Sequence, residues 1–135
     1  MTAPEHSHRG TEAQRYRVSD AVIAAAIEVH KELGPGLFES VYEAAMDIEL
    51  KERGLLVERQ LEVPMTYKGR ALGSSYRVDL VVERELVVEL KAVERLAPVH
   101  TAQVLTYLRL LKIRSGLLVN FNHAQLRHGV KRIAL

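Results

Sequence analysis

Asp79, Glu89 and Lys91 lie in the segment YRVDLVVERELVVELKAV, among valines and leucines, and are the residue types best suited to chemistry in this chain. Side chains alternate faces along a strand, so Glu89 and Lys91 point the same way with Val87, and Asp79 shares a face with Val81. A three-residue reversal at Glu83 to Glu85 puts position 79 directly opposite position 89; a slip of one residue sends the carboxylates to opposite faces. In the first register two like charges are cross-strand neighbours, which is destabilising by itself. Lys91 offsets part of that cost. A divalent cation offsets more, because Mg²⁺ takes oxygen ligands and is commonly held by one or two carboxylates with water and phosphate. A cation there would polarise a phosphodiester and lower the pKa of a bound water, while Lys91 orients that water or stabilises developing charge. The pattern D-x9-E-x-K is short, and it equally describes a salt-bridged trio on a half-exposed sheet.

The surrounding elements must deliver these residues to one place. Ser19-Asp20 is good N-cap chemistry for a helix running to about Leu33, with Ile23, Ile27 and His30 on one side and Val22, Ala26 and Val29 beside them. Gly34-Pro35-Gly36 stops it, and a second helix is expected from about Phe38 to Arg53, ended by Gly54. The period then changes to two: Leu61, Val63, Met65 and Tyr67 alternate, Lys68-Gly69 signals a turn, and the chain returns as a strand from Tyr76 to Val82. A strand over Leu86 to Ala92 follows the reversal. Pro98 suits the first turn of a helix reaching about Lys112, Ser115-Gly116 breaks it, and Leu117 to Phe121 is a short apolar strand. Val130 to Leu135 is a further strand candidate. The order predicted is α-α-β-β-β-α-β(-β), a mixed α/β fold with four to five strands flanked by helices.

The chain has 135 residues, 47% hydrophobic and 27% charged, with a net charge of +2. That suits a single domain, expected over residues 19–135 behind a polar, disordered tail over 1–18. Cysteine is absent, which excludes thiolate metal sites and a Cys nucleophile and fits a reducing cytoplasm. A pI near 9.0 is compatible with a polyanionic partner without requiring one. No apolar run approaches the roughly 18–20 residues of a membrane span, and the N-terminus lacks a secretory pattern, so a cytoplasmic location is expected.

The stretch GPGLFESVYE carries Gly36, Glu39 and Tyr42 at the spacing that names the GxxExxY proteins, a family assigned to the PD-(D/E)XK nuclease superfamily. The chain resembles that family from about Ile23 to Ile133, through VHKELGPG, the R-x-D of Arg77 to Asp79, VELKAV, Q-x-x-x-Y and Asn120-Phe121. The resemblance implies a PD-(D/E)XK nuclease-like core, with Asp79 and Glu89 as metal ligands and Lys91 as the catalytic lysine. It also implies an acidic residue of an early helix at Glu39, and a Q-x-x-x-Y helix motif at Gln103 and Tyr107. His30 is the candidate for the early-helix histidine that some relatives use as a further metal ligand. Val78 stands where the superfamily's name has proline, a position that varies widely in the superfamily.

Each of these residues also has a structural reading. His30 suits a helix C-terminus, and Glu39 suits a helix N-terminus beside a packing tyrosine, Tyr42. Gln103 and Tyr107 share a face and can satisfy each other instead of positioning substrate, a role for which Tyr42 is also a candidate. Arg77, Arg109 and Lys112 are candidate phosphate contacts, although cations ending a helix are ordinary dipole complements. The function expected is a Mg²⁺- or Mn²⁺-dependent phosphodiesterase acting on nucleic acid, DNA ahead of RNA. The alternative is a catalytically silent nucleic-acid-binding or regulatory module with the same fold. Small nucleases often need a dimer to cut two strands, so a homodimer is among the expected partners.

Overall fold

The computed structural model describes the backbone of residues 3–135 and the side chains of residues 16–135. Two helices, α1 (Ala3–Leu33) and α2 (Glu39–Glu52), precede three strands, β1 (Val57–Tyr67), β2 (Arg70–Val82) and β3 (Leu86–Lys91). Helix α3 (Pro98–Leu111), strand β4 (Ser115–Asn120), a 3-10 turn (Leu126–Gly129) and strand β5 (Val130–Ala134) complete the chain. The five strands form one sheet in the order β1-β2-β3-β4-β5, with β3 and β4 parallel and the other neighbours antiparallel. Parallel strands need a crossover, and α3 supplies it between β3 and β4. The predicted order and the mixed α/β class hold, with β5 present as the fifth strand.

The tail expected over residues 1–18 lies partly outside the described residues. Within them, α1 is already helical before Ser19, whose hydroxyl donates to the Tyr16 carbonyl at 3.2 Å instead of capping a helix. Val18, Val22, Ala25, Ala26 and Val29 form a buried stripe at helical spacing, so burial of Val18 carries the helix through the capping signal. Strand β2 also starts earlier than expected, at Arg70, because Lys68 and Gly69 both take left-handed φ angles of 49° and 77° and close a two-residue hairpin turn.

Two apolar cores sandwich the sheet. On one face, α1 and α2 pack through Val22, Val29, Tyr42, Met46 and Leu50 against Leu80, Leu86, Val88, Leu90 and Phe121. On the other, Val104, Tyr107 and Leu108 of α3 pack against Val78, Val81, Val87 and Leu118. Residues two apart on a regular strand share a face. Yet Val57 belongs to the first core and Leu61 and Val63 to the second, while Val78 and Leu80 are likewise split. Both strands therefore roll over at the same level, where Gln60 has a left-handed φ of 54° and the Gln60–Asp79 pair drops out of the ladder between Arg59–Leu80 and Leu61–Val78. Asp79 sits on this roll, not on a regular face shared with Val81.

The loop after β4 is fixed from within. Gly129 has no room for a side chain, since a Cβ there would stand 2.1 Å from the Asn120 carbonyl oxygen and 2.8 Å from the His123 ring. Gly129→Ala must move backbone next to Asn120 and is expected to lower the unfolding free energy by about 1–3 kcal/mol, measurable by urea denaturation. A variant as stable as the wild type would show that this loop yields freely.

Candidate active site

The register between β2 and β3 pairs Leu80 with Val88, Val81 with Val87 and Val82 with Leu86, leaving Glu83 to Glu85 as the reversal. The same register brings 79 opposite 89, but here the backbone ladder stops and side chains replace it. The Asp79 amide donates to Glu89 Oε1 at 2.9 Å, and the Leu90 amide donates to Asp79 Oδ2, also at 2.9 Å. The roll at Gln60 and Asp79 explains this exchange: it takes the Asp79 amide out of the β1 ladder and leaves it for a carboxylate. Each acid thus satisfies the backbone of the opposite strand, the condition for burying such groups at all.

Burial raises the pKa of both acids. Asp79 is pushed up to about 6, first by desolvation and then by the negative charges of Glu43 and Glu39, against the Leu90 amide and Lys91, which favour its ionised form. Glu89, only 4% exposed, is pushed up to about 8 by desolvation and by Asp79, again opposed by an amide and by Lys91. Lys91 follows Glu89 on the same face of β3, and its charge favours ionisation of both acids.

The strand end that carries Lys91 is tied down at three successive residues. The Lys91 carbonyl accepts from the Phe121 amide at 2.9 Å, and the Ala92 amide donates to Glu39 Oε2 at 3.2 Å. Fully buried Asn120 takes the Val93 amide on Oδ1 and donates Nδ2 to the Val93 carbonyl. Glu39 therefore joins the first turn of α2 to the end of β3, close enough to act on both buried acids.

Two residues that sequence reasoning passed over belong to the same cluster. Glu43, one turn beyond Glu39 on α2, accepts from Arg59 Nε at 2.8 Å and from the Gln60 amide, and Gln60 Nε2 reaches Asp79 Oδ1 at 3.4 Å. The spacing of Glu39 and Glu43 was a usable sign, because residues four apart share a helix face. Gln60 gave none: Val57 and Leu61 have even separation, so alternation alone conceals the roll between them.

Gln103 and Tyr107 come together as the spacing required, with Gln103 Nε2 donating to the Tyr107 hydroxyl at 2.8 Å. Burial and the negative charge of Glu89 raise the Tyr107 pKa to about 12, so the hydroxyl keeps a proton that it can donate. Tyr42 does not face this cluster. It is fully buried, stacked 4.3 Å from the Phe121 ring, and its hydroxyl donates to the Gly34 carbonyl and accepts from the Leu37 amide at 3.1 Å. It shapes the loop that leads into Glu39 and cannot touch substrate itself.

His30 is not brought to the carboxylates. Its Nε2 bonds the His123 carbonyl oxygen at 2.7 Å, joining α1 to the loop after β4, and its ring lies 6.4 Å from that of Phe121. Among the described residues no group of three or more His, Asp or Glu converges in a form that could hold a metal ion. Of the candidate phosphate contacts, exposed Arg77 stands two residues from Asp79 on β2. Lys112 ends α3 just before Ser115, which pairs with Leu86, whereas Asn120 pairs with Lys91. Lys112 is accordingly at the opposite end of β3 from Lys91. Arg109 bonds Thr106 on its own helix at 3.4 Å.

The donor chemistry suits a hard divalent cation. Asp79 and Glu89 offer only oxygen, and Glu89 Oε2 accepts no hydrogen bond from the described residues. Two carboxylates with the remaining positions left to water and phosphate is the ordinary protein share of a Mg²⁺ site.

A family model described as the PD-(D/E)XK nuclease superfamily matches residues 16–133. The chain belongs to that superfamily, and its five-stranded mixed sheet flanked by helices is consistent with the superfamily's fold. No curated protein and no solved structure matches the chain. Membership supports, in coarse terms, a phosphodiesterase that acts on nucleic acid with a divalent metal. No helix among the described residues is long and apolar enough to cross a membrane.

The raised pKa values fix a sign for the pH dependence. A carboxyl group whose pKa is higher folded than unfolded keeps the folded state more protonated, so its stabilising contribution is full below the ordinary carboxylate range. That contribution is lost as pH rises through about 6 for Asp79 and about 8 for Glu89. Without divalent cation, urea unfolding of the wild type should lose stability progressively between about pH 4.5 and pH 8 relative to Glu89→Gln, whose side chain cannot ionise. Parallel profiles for the two proteins would mean that Glu89 is not held in this way.

Proposed function

We propose that the chain is a metal-dependent nuclease that hydrolyses phosphodiester bonds, DNA ahead of RNA, with Mg²⁺ or Mn²⁺ held by Asp79 and Glu89. The observation that carries this reading is the buried pair itself: two acids that satisfy each other's strands yet keep oxygen lone pairs free, with Lys91 two residues further along. A bound cation would supply Lewis-acid polarisation of the phosphate and a more acidic water.

The chain's own groups supply the remainder. Lys91 presents an ammonium to the phosphate oxygen that gains charge as the bond breaks, and the ties on Lys91, Ala92 and Val93 hold its strand in place. The negative charges of Glu39 and Glu43 add to the burial that opposes ionisation of Asp79, and that of Glu39 does the same at Glu89, so both favour a cation at the pair. The Tyr107 hydroxyl, fixed by Gln103, donates toward the substrate phosphate or the Lys91 side of the site. Arg77 offers a phosphate contact outside the reacting group, which would set affinity and salt dependence without selecting sequence.

The test is cleavage of labelled single- and double-stranded DNA and RNA in Mg²⁺, Mn²⁺ or EDTA, with Asp79→Ala and Lys91→Ala alongside. Cleavage should require the cation and fall at least about 10²-fold in each variant. Activity that survives EDTA, or that is equal in wild type and Lys91→Ala, would contradict the assignment and point to a contaminating enzyme.

A further inference from the structure

Beside the carboxylate pair, on the α3 face of the sheet, lies a groove of about 410 Å³ lined by Met65, Tyr76, Val99, Gln103 and Tyr107, among others. Tyr76 forms its rim and is 48% exposed, while Val99 opposite is 67% exposed and Tyr107 forms the buried floor. The Tyr76 and Tyr107 rings are 6.1 Å apart and inclined at 58°, a tilted contact in which Tyr76 stays about half exposed. We propose that this groove binds one unpaired nucleobase of the substrate strand, stacked on Tyr76, and that the enzyme therefore acts on single-stranded or frayed nucleic acid.

The inference rests on the nuclease reading and adds the substrate form. Three observations select a base as the occupant. The groove lies near the reaction site, since Tyr107 at its floor packs with Val78, the neighbour of Asp79, and with Val87, which precedes Glu89 on the same face of β3. Tyr76 is three residues from Asp79 on β2, about 10 Å along the strand, near enough for a strand whose phosphate lies at Asp79 to place a neighbouring base on it. Finally, the residues that line the groove carry no charged side chain, so it offers a second phosphate no partner, whereas a neutral aromatic ring suits its Met65, Tyr76 and Val99 walls.

The polar fittings agree with that occupant. Gln103 spends its amide nitrogen on Tyr107, which leaves its carbonyl oxygen to accept from a base amino group. Stacking on an aromatic side chain tolerates any base, so the groove predicts a preference for strand form and little preference for sequence. A paired base could not enter, because its faces are covered by its neighbours in the duplex.

The experiment compares wild type, Tyr76→Phe and Tyr76→Ala on one single-stranded oligonucleotide and its duplex, together with single strands carrying one abasic site at successive positions. Thermal unfolding of each variant checks that this exposed residue leaves the fold intact. Tyr76→Ala should lose about 10-fold or more in kcat/KM on the single strand, with Tyr76→Phe close to wild type. One abasic position near the cut should cause a similar loss in wild type and none in Tyr76→Ala. Wild-type cleavage of single strands that is unchanged in Tyr76→Ala, or faster cleavage of the duplex, would overturn the subsite and leave the nuclease reading standing. A folded wild type that cuts neither form would overturn both.

Discussion

Two carboxylates buried together where β2 and β3 part are the constraint to which the rest of the structure answers. Removing ionised acids from water is costly, and placing them side by side adds repulsion. The chain meets the first cost by giving Asp79 and Glu89 backbone amides from each other's strands. It does not remove the second, and the raised pKa values are the measure of what remains. A protein selected for stability alone would fill these positions with further valines. Retaining the pair fits a site whose cost is offset when a cation binds.

That constraint organises elements far apart in sequence. The roll at Gln60 and Asp79 interrupts two strands so that one amide becomes available. Tyr42 closes on the Gly34 to Leu37 loop and sets where α2 begins, which puts Glu39 on the amide that follows Lys91. Asn120 clamps the next residue from the parallel neighbour β4, and Gly129 is bare because the Asn120 carbonyl occupies the space its Cβ would need. Residues that never approach the reacting groups thus determine how accurately Lys91 is aimed.

Much of this was legible in the sequence because it depends on local periodicity and turn chemistry. The reversal at Glu83 to Glu85 set the 79–89 register, Pro98 opened α3, and the four-residue spacing of Gln103 and Tyr107 brought them into contact. The failures share a different cause. Ser19 has capping chemistry, but burial of Val18 outweighs it. His30 has the right chemistry and the right helix, but only the packed loop after β4 determines that its Nε2 meets the His123 carbonyl. The roll at Gln60 involves a left-handed glutamine inside a strand, and neither propensity nor alternation reports it. Long-range packing decides such cases, and a single sequence does not display it.

The central claim is that the Asp79–Glu89 pair is a cation site, and its most direct test is calorimetric titration of Mg²⁺ and Mn²⁺ into the purified protein at pH 7. Buffers of different ionisation enthalpy would count the protons released, with Glu89→Gln as the control. The account predicts binding of a divalent cation accompanied by proton release from the raised carboxyl groups, both lost in the variant. A folded wild type that binds neither cation, or that binds one equally well after Glu89→Gln, would contradict it.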